Sequence, residues 1–376
     1  MVLIQQLRKA YSEGKNFAYF VSFDDRTGMS GHETLYVGGY VSEYDGSSHF
    51  ICSSDIGSEG IPAIISFDHV ASIFPDIKFR RSAWPEIMIL HPDSVLHGSY
   101  NRIPGTARSF GSKPAVELNG MREKIAYVRE KIISGDLLQA VLSEEVSARG
   151  ISPVNTLERV LAEDTSLYVY YFRFGRYELI GSSPERLITV TGRNAVVNPI
   201  AGTRRRDPDP LIDSSFGNDL MNDSKEQCEH RMLVDLARND LTRIARPETV
   251  SVLENMSVRK YSSVQHLVST VTGTLAEGTC ADSVIKAVFP AGTVSGAPKK
   301  RALQLIGKLE ERPRGAYSGA AGIIRKDGMD LALVIRSIYG IDGDLKVRAG
   351  AGIVKDSIPE REAEEILIKM AAVMQR

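Results

Sequence analysis

The sequence is short of several things, and each shortage closes off a class of protein. Its three cysteines, Cys52, Cys228 and Cys280, are odd in number and widely spaced. They give neither a zinc-ligand spacing nor a disulfide framework, which suits a reducing cytoplasm, the expected location. Charge of one sign is missing as well: 46 Lys and Arg face 47 Asp and Glu, a net charge of -1. That removes the bulk electrostatic case for nucleic acid or an anionic membrane as a partner. No apolar run approaches the length of a membrane span. The first residues, Met1 to Lys9, form a short amphipathic stretch without the apolar centre of a signal peptide. There is no internal repeat. His32, His49, His69, His91 and His97 are scattered without metal-ligand spacing and take no role.

What is present is an ordinary globular composition, 43% hydrophobic and 25% charged over 376 residues, enough for a large core. Residues 1 to about 110 read as strands and loops. The segments 18–23 and 34–41 are β-rich, and Asp45-Gly46 and Pro104-Gly105 mark turns. The Gly-, Ser-, Pro- and Arg-rich segment 100–115 reads as a linker or mobile loop. From Asn119 a helix carries Ile125, Val128, Ile132 and Ile133 as its apolar stripe, with Gly135 at its C′ end. Strand 138–143 and helix 153–163 follow, then strands 167–174, 178–183, 186–191 and 194–200. The turn Thr191-Gly192-Arg193-Asn194 joins the last two as a hairpin. A long helix runs from Ser224 to about Ile244, followed by strand 249–259, helices 280–288 and 298–311, and strands 317–325, 329–339 and 345–354. A helix from Pro359 closes the chain. Hairpin-linked strands without βαβ alternation predict α+β with antiparallel sheets. The expected organisation is an N-terminal β-rich part, residues 1–112, of the same large domain as a core over 113–376.

Two helix starts carry paired acids. Ser224 with Gln227 reads as a capping box opening one helix, and Glu226 and Glu229 lie three apart on one face of it. Downstream, Pro359 is placed for the first helical position, and Glu362 and Glu365 repeat the spacing. Two such pairs could hold a hard divalent cation, although acids in a first turn also simply complement the helix dipole. The loop from Phe289 to Lys299 is rich in small residues and hydroxyls and precedes a helix, so it could approach a small anion or merely connect. Ala349-Gly350-Ala351-Gly352-Ile353 could wrap a carboxylate or pack closely on a neighbouring strand. Arg336, in an otherwise apolar strand, needs an anionic partner, from the protein or a ligand. His266 stands alone, and on its own reads as structural.

Taken together, these blocks resemble the chorismate-utilising enzymes, most closely the component I type of anthranilate synthase. The resemblance runs from about residue 119 to the end. It is carried by Ser183-Pro184-Glu185, by Pro199 to Arg204, by Lys225 to Leu241, and by Val264-Gln265-His266-Leu267. It continues through Phe289 to Lys299, Arg314 to Gly319, and Ala349 to Glu362. It implies antiparallel sheets packed as a sandwich with helices around them, and a chorismate-binding core over 113–376. It also implies Mg2+ bridging the substrate ring carboxylate to Glu229 and Glu365, with Glu226 and Glu362 supporting. Arg336, Tyr317 and the N–H groups of Gly350, Ala351 and Gly352 would hold the enolpyruvyl carboxylate. Gly202 and Thr203 would contact the ring side. Glu185 would protonate the departing hydroxyl, which is a poor leaving group without an acid. His266 and Thr293 would line the reacting ring, His266 helping the later loss of pyruvate.

Within the family, members that add water usually place a lysine where this chain has Gln139. Aminodeoxychorismate synthases often carry a nucleophilic lysine where it has Ala201. With neither lysine, ammonia is the expected nucleophile and anthranilate with pyruvate the expected product. Aminodeoxychorismate synthase component I is the alternative, because some of those enzymes also lack the lysine. The chain has no Cys/His glutaminase signature, so a separate glutamine amidotransferase subunit is the expected ammonia source, in a hetero-oligomer. The family's tryptophan-feedback blocks have no clean counterpart; one position reads Asp164-Thr165-Ser166-Leu167-Tyr168-Val169. No regulatory residues are assigned. A catalytically silent scaffold would have degraded acids, whereas all five carboxylates are kept.

Overall fold

The structure, a computed structural model, describes residues 2–24, 29–45, 56–102, 118, 120–261 and 264–374. Two large antiparallel sheets form its centre. One runs, in spatial order, Gly296–Ala297, Gln139–Ser147, Asp344–Ile353, Ser337–Ile341, Tyr177–Ser183, Tyr168–Phe174, Phe17–Phe23, Ser30–Val37, Ser94–Asn101. The other runs Ile200–Arg205, Val264–Thr274, Asn194–Val197, Arg186–Thr191, Gly328–Leu333, Ala320–Arg325, Ile61–Ile65, Ile87–His91, Tyr40–Tyr44, with Ser251–Lys260 also paired to Val264–Thr274. Strands from residues 1–112 and from 113–376 therefore contribute to both sheets.

Apolar side chains explain the layering. Between the sheets, Phe20, Tyr170 and Phe172 of the first pack with Ile64, Met88 and Ile323 of the second. The outer face of the first sheet carries two helical covers. Leu7 of helix Val2–Ser12 and Leu157 of helix Pro153–Glu163 pack on Phe17, Tyr19 and Tyr171. Val128 of helix Met121–Ile133 and Ile366 and Met370 of helix Pro359–Met374 pack on Leu142, Val347 and Ile353. The second sheet is covered by Val234 and Leu241 of helix Ser224–Thr242, Ile285 of helix Ala281–Val288 and Leu303 of helix Lys299–Leu309. Strands buried on both faces, such as Phe17–Phe23, read as continuous apolar runs and lack the alternation of a half-exposed strand. The fold class expected from sequence, α+β with sandwiched antiparallel sheets, is the one observed.

Several local expectations are corrected. The run 34–41 is not one strand: Gly38 and Gly39, at φ 77 and 78, carry the chain from the first sheet to the second. A Cβ on Gly39 would lie 1.8 Å from the His91 carbonyl oxygen, so only glycine fits that corner. The run 329–339 divides in the same way into Gly328–Leu333 and Ser337–Ile341, in different sheets. Strand 194–200 breaks at Asn198-Pro199, proline having no N–H to give the ladder, and resumes as Ile200–Arg205. Strand 317–325 begins only at Ala320, leaving Tyr317 in a turn. Helix Pro210–Asn222 and strand Val264–Thr274 were not foreseen. The cap of the long helix is Asp223 and not Ser224: its carboxylate accepts from the N–H groups of Lys225 and Glu226. Cys52, His49, Gly46, Asn119, the Pro104-Gly105 turn and most of segment 100–115 lie outside the described residues.

Candidate active site

The site lies where the chain crosses between the sheets twice, side by side. Ser183-Pro184-Glu185 leads from Tyr177–Ser183 to Arg186–Thr191, and residues 334–336 return from Gly328–Leu333 to Ser337–Ile341. The crossings are tied together, Leu333 N donating to the Glu185 carbonyl (3.0 Å) and Ser182 N to the Arg336 carbonyl (3.4 Å). Arg336 sits in the second crossing with φ 50, exposed, and not inside a strand as the sequence suggested. The half-buried Glu185 carboxylate accepts from Thr293 Oγ1 at 2.6 Å. Burial pushes that carboxyl up to about 7, against the opposing pull of the Thr293 hydrogen bond and the Arg336 charge. Burial thus lets Glu185 hold its proton to higher pH than an ordinary carboxyl does, which a general acid requires.

His266 stands on strand Val264–Thr274, buried, with Nδ1 2.8 Å from the Gly202 carbonyl and 3.1 Å from Thr203 Oγ1. A carbonyl only accepts, so Nδ1 carries the proton and Nε2 keeps its lone pair. Burial pushes the imidazole down to about 4; the Gly202 carbonyl works against that shift and Arg336 adds to it, so the ring is neutral. Gly202 needs its φ of 65, and a Cβ there would fall 2.6 Å from Leu220 and 3.0 Å from Glu226 Oε2. The glycine thereby lets strand Ile200–Arg205 lie against the first acidic helix.

The first turns of the two acidic helices come within electrostatic reach of one another, Glu365 of one acting on Glu226 and Glu229 of the other. Helix Ser224–Thr242 buries Leu233, Val234, Ala237 and Leu241 as one stripe, and Glu226 and Glu229 extend that side in its first turns. Glu362 and Glu365 flank the buried stripe of helix Pro359–Met374. Burial raises Glu226, Glu229 and Glu362 above the ordinary carboxylate range, and neighbouring acids add to it: Asp223 and Glu365 on Glu226, Glu226 and Glu365 on Glu229, Glu365 on Glu362. The Glu365 charge thus acts across the two helices on Glu226 and Glu229 and along its own helix on Glu362, a field that a divalent cation would relieve. Present partners hold them apart: Gln139 Nε2 donates to Glu229 Oε1 (2.8 Å) and Lys369 Nζ to Glu365 Oε1 (2.6 Å). Among the described residues no three His, Cys, Asp or Glu side chains converge tightly enough to hold an ion unaided. The donor set is nevertheless hard oxygen throughout, which fits Mg2+ completed by a ligand carboxylate and water.

Strand Asp344–Ile353 connects the two halves. A Cβ on Gly350 would sit 2.9 Å from Tyr317 Oη, and one on Gly352 would sit 2.7 Å from Gln139 Nε2 and 4.0 Å from Glu229 Oε1. Pairing with Ser337–Ile341 ends at Ile338↔Val347, so beyond Val347 that strand lies against no continuation of its neighbour on this edge. Ala351 turns its methyl into the helix-covered core, leaving its backbone as the part available to a ligand. Sequence reasoning missed Lys369, which donates to both Glu365 and the Gly350 carbonyl (3.1 Å). Its signal was the i, i+4 spacing from Glu365. It also missed Arg204, which reaches Asp219 (2.6 Å), Asp223 (2.9 Å) and Glu226 (3.8 Å) from the end of strand Ile200–Arg205.

A crossing that presents a raised carboxyl and a cation, beside a neutral imidazole and a cluster of carboxylates, is a candidate active site. The family comparison agrees: residues 75–375 match the chorismate binding enzyme family, and the chain belongs to it. It is closely related to anthranilate synthase component I. It is 47% identical over 248 residues to anthranilate synthase component 1 of Aquifex aeolicus, covering 65% of this chain and 50% of that protein. The Methanothermobacter thermautotrophicus protein of the same name is 41% identical over 318 residues, 82% of this chain and 66% of its own length. The chain thus spans about half to two thirds of these relatives. The structure of anthranilate synthase component I from Streptococcus pneumoniae superposes with a TM-score of 0.74 at 28% identity, covering 96% and 92% of the two chains. The menaquinone-specific isochorismate synthase of Escherichia coli shares the fold, with a TM-score of 0.71 at 22% identity over 96% and 87%. No helix among the described residues is long and apolar enough to cross a membrane.

Proposed function

We propose that the protein is the large subunit of a cytoplasmic anthranilate synthase, converting chorismate and ammonia to anthranilate, pyruvate and water in tryptophan biosynthesis. The observation that carries this reading is Glu185, set at the crossing between the sheets, bonded to Thr293 and raised by burial. A path from Tyr317 through Gly350 and Gly352 leads to Gln139 and Glu229. Two anionic ends of one substrate fit the two ends of that path. Arg336, Tyr317 and the backbone at Gly350 to Gly352 bind the enolpyruvyl carboxylate, while Gly202 and Thr203 support the ring. The ring carboxylate meets the acidic helices, where bound Mg2+ would supply Lewis-acid charge stabilisation, with Glu229 and Glu365 as ligands and Glu226 and Glu362 in support.

In the first half-reaction ammonia adds next to the carboxylate-bearing ring carbon, the double bonds shift, and the ring hydroxyl leaves as water. Glu185 gives the proton for that departure. The Gln139 side chain is buried, donates to Glu229 and leaves its amide oxygen without a protein partner among the described residues. An acceptor so placed can take an N–H of ammonia, and the amide is itself no base that could activate water. In the second half-reaction the ring loses a proton, the enolpyruvyl ether bond breaks to give the aromatic ring, and the departing enolpyruvate takes a proton at its methylene carbon to become pyruvate. His266 Nε2, neutral and unprotonated, is the base for that ring proton. Ammonia reaches the site from a glutamine amidotransferase subunit, a partner supported by the relatives being named as component 1.

Glu185→Gln tests the assignment. Turnover is expected to fall by about 10²–10⁴-fold, the usual contribution of a positioned acid, with calorimetric binding of chorismate largely kept. Loss of binding with turnover kept at saturation would make Glu185 a binding residue and remove the acid from the scheme.

A further inference from the structure

We propose that Arg314 is a positioning residue that holds Thr293 and Tyr317 in one frame, setting the acid Glu185 and the carboxylate clamp together. The proposal rests on the reading of Glu185 as the acid, and deepens it. Arg314 is buried and touches neither Glu185 nor the space for substrate through any of its five N–H donors, all of which are bonded to protein. Nη1 donates to the Val294 carbonyl (2.7 Å), next to Thr293, and to Ser318 Oγ (3.1 Å), next to Tyr317. Nη2 donates to the Val141 carbonyl (2.8 Å), and Val141 lies opposite Gly352 in the ladder. Nη2 and Nε together make a bidentate pair with Glu310, at 2.7 and 2.8 Å. The guanidinium also stands 4.7 Å from the Phe67 ring centroid and 5.8 Å from that of Tyr317.

Glu310 carries the frame one residue pair further. Its Oε1 accepts from Ser143 N (2.9 Å) and Ser143 Oγ (2.8 Å), and Ser143 lies opposite Gly350. One planar fork therefore fixes the loop behind Thr293, the turn bearing Tyr317 and the strand facing the glycines. A lysine, with one nitrogen, cannot span those carbonyls at once. The groups facing Glu185 are Thr293 and Arg336, with Arg186 and the Asp240–Lys299 pair across the small cavity behind it; Arg314 bonds to none of the charged ones. Its effect on Glu185 must pass through Val294 and Thr293.

The test is Arg314→Lys in the full chain with Mg2+. Two readouts are compared with wild type: steady-state kinetics with chorismate and ammonium, and infrared titration of the Glu185 carboxyl, identified by its loss in Glu185→Gln backgrounds. Displacing Thr293 removes a hydrogen bond that favours the charged form, so the carboxyl midpoint is expected to move to higher pH. Turnover is expected to fall and KM for chorismate to rise, together about 10–100-fold in kcat/KM, as for a small misplacement of reacting groups. A lower melting temperature with the carboxyl midpoint and kcat/KM unchanged would overturn the proposal, leaving Arg314 a packing residue. If Arg314→Lys does not fold, Phe67→Leu loosens the guanidinium while keeping its bonds; the same upward shift is expected, and an unmoved midpoint overturns the proposal. A wild-type protein whose carboxyl titrates near neutrality but which makes no anthranilate would sink the proposed reaction instead, and the infrared comparison would still decide the role of Arg314.

Discussion

Thr293→Val removes the hydroxyl that donates to Glu185 Oε1 over 2.6 Å and leaves the shape of the loop nearly unchanged. A carboxylate accepts this bond better than a protonated carboxyl does, so the bond pulls against the burial that lifts Glu185 to about 7. Hydrogen bonds to charged groups contribute about 1.5–3 kcal/mol, and 1.36 kcal/mol is one pKa unit, so the carboxyl should rise by about 1–2 units. The acid must be protonated to act. Turnover of the wild-type enzyme should therefore decline on the alkaline side from near neutrality, and the variant should hold its own maximum to higher pH. The assay is the initial rate of anthranilate fluorescence across the pH range at fixed total ammonium, plotted as the ratio of variant to wild type. Deprotonation of ammonium is common to both and cancels in the ratio. The ratio should climb with pH and then level off. A ratio that stays flat or falls with pH would refute the idea that Thr293 tunes Glu185 as the acid.

The carboxylate cluster makes two further predictions. Glu229→Gln or Glu365→Gln should cut turnover by more than about 100-fold, measured at saturating chorismate and Mg2+; full activity in excess chelator would dispose of the metal role altogether. Melting temperature should respond to Mg2+ and pH together. Glu226, Glu229 and Glu362 are raised in the folded state, so their contribution to stability is present below the ordinary carboxylate range and is lost as pH climbs through the raised values. Mg2+ binds the deprotonated set and should stabilise the protein more at pH 7.5 than at pH 5, by about 3 °C for a chain of this size at 100 times Kd. An equal response at both pH values, or none, would contradict it.

The acidic helices were legible because helices keep their signals local: Pro359 opened one, and i, i+3 spacing put each pair on one face. The hairpin at Thr191 to Asn194 was legible because two turn residues set its register. The crossings were not. At Val334-Ile335-Arg336 the chain changes sheets inside a run that stays apolar because both flanking strands are buried, and at Gly38-Gly39 it changes sheets inside a run whose β-rich residues continue across the corner. Periodicity sees no break there, and Arg336 was consequently read into a strand. Helix Pro210–Asn222 had its own local signal, Asp209 as cap and Pro210 at the first position, which was overlooked. Strand Val264–Thr274 had little signal, since Gln265 and His266 interrupt its apolar run. What no pattern could supply was distance across the fold: that Gln139 touches Glu229 and Thr293 touches Glu185 depends on strands and helices 90 and 108 residues apart.

The most direct test of the central claim is product identity. The purified chain, supplied with chorismate, Mg2+ and an ammonium salt at alkaline pH and with no amidotransferase present, should form 2-aminobenzoate, identified by fluorescence and chromatography, with pyruvate in equal amount. Formation of the 4-amino isomer that keeps its enolpyruvyl group, without pyruvate, would contradict the account and place the nitrogen at the other end of the ring.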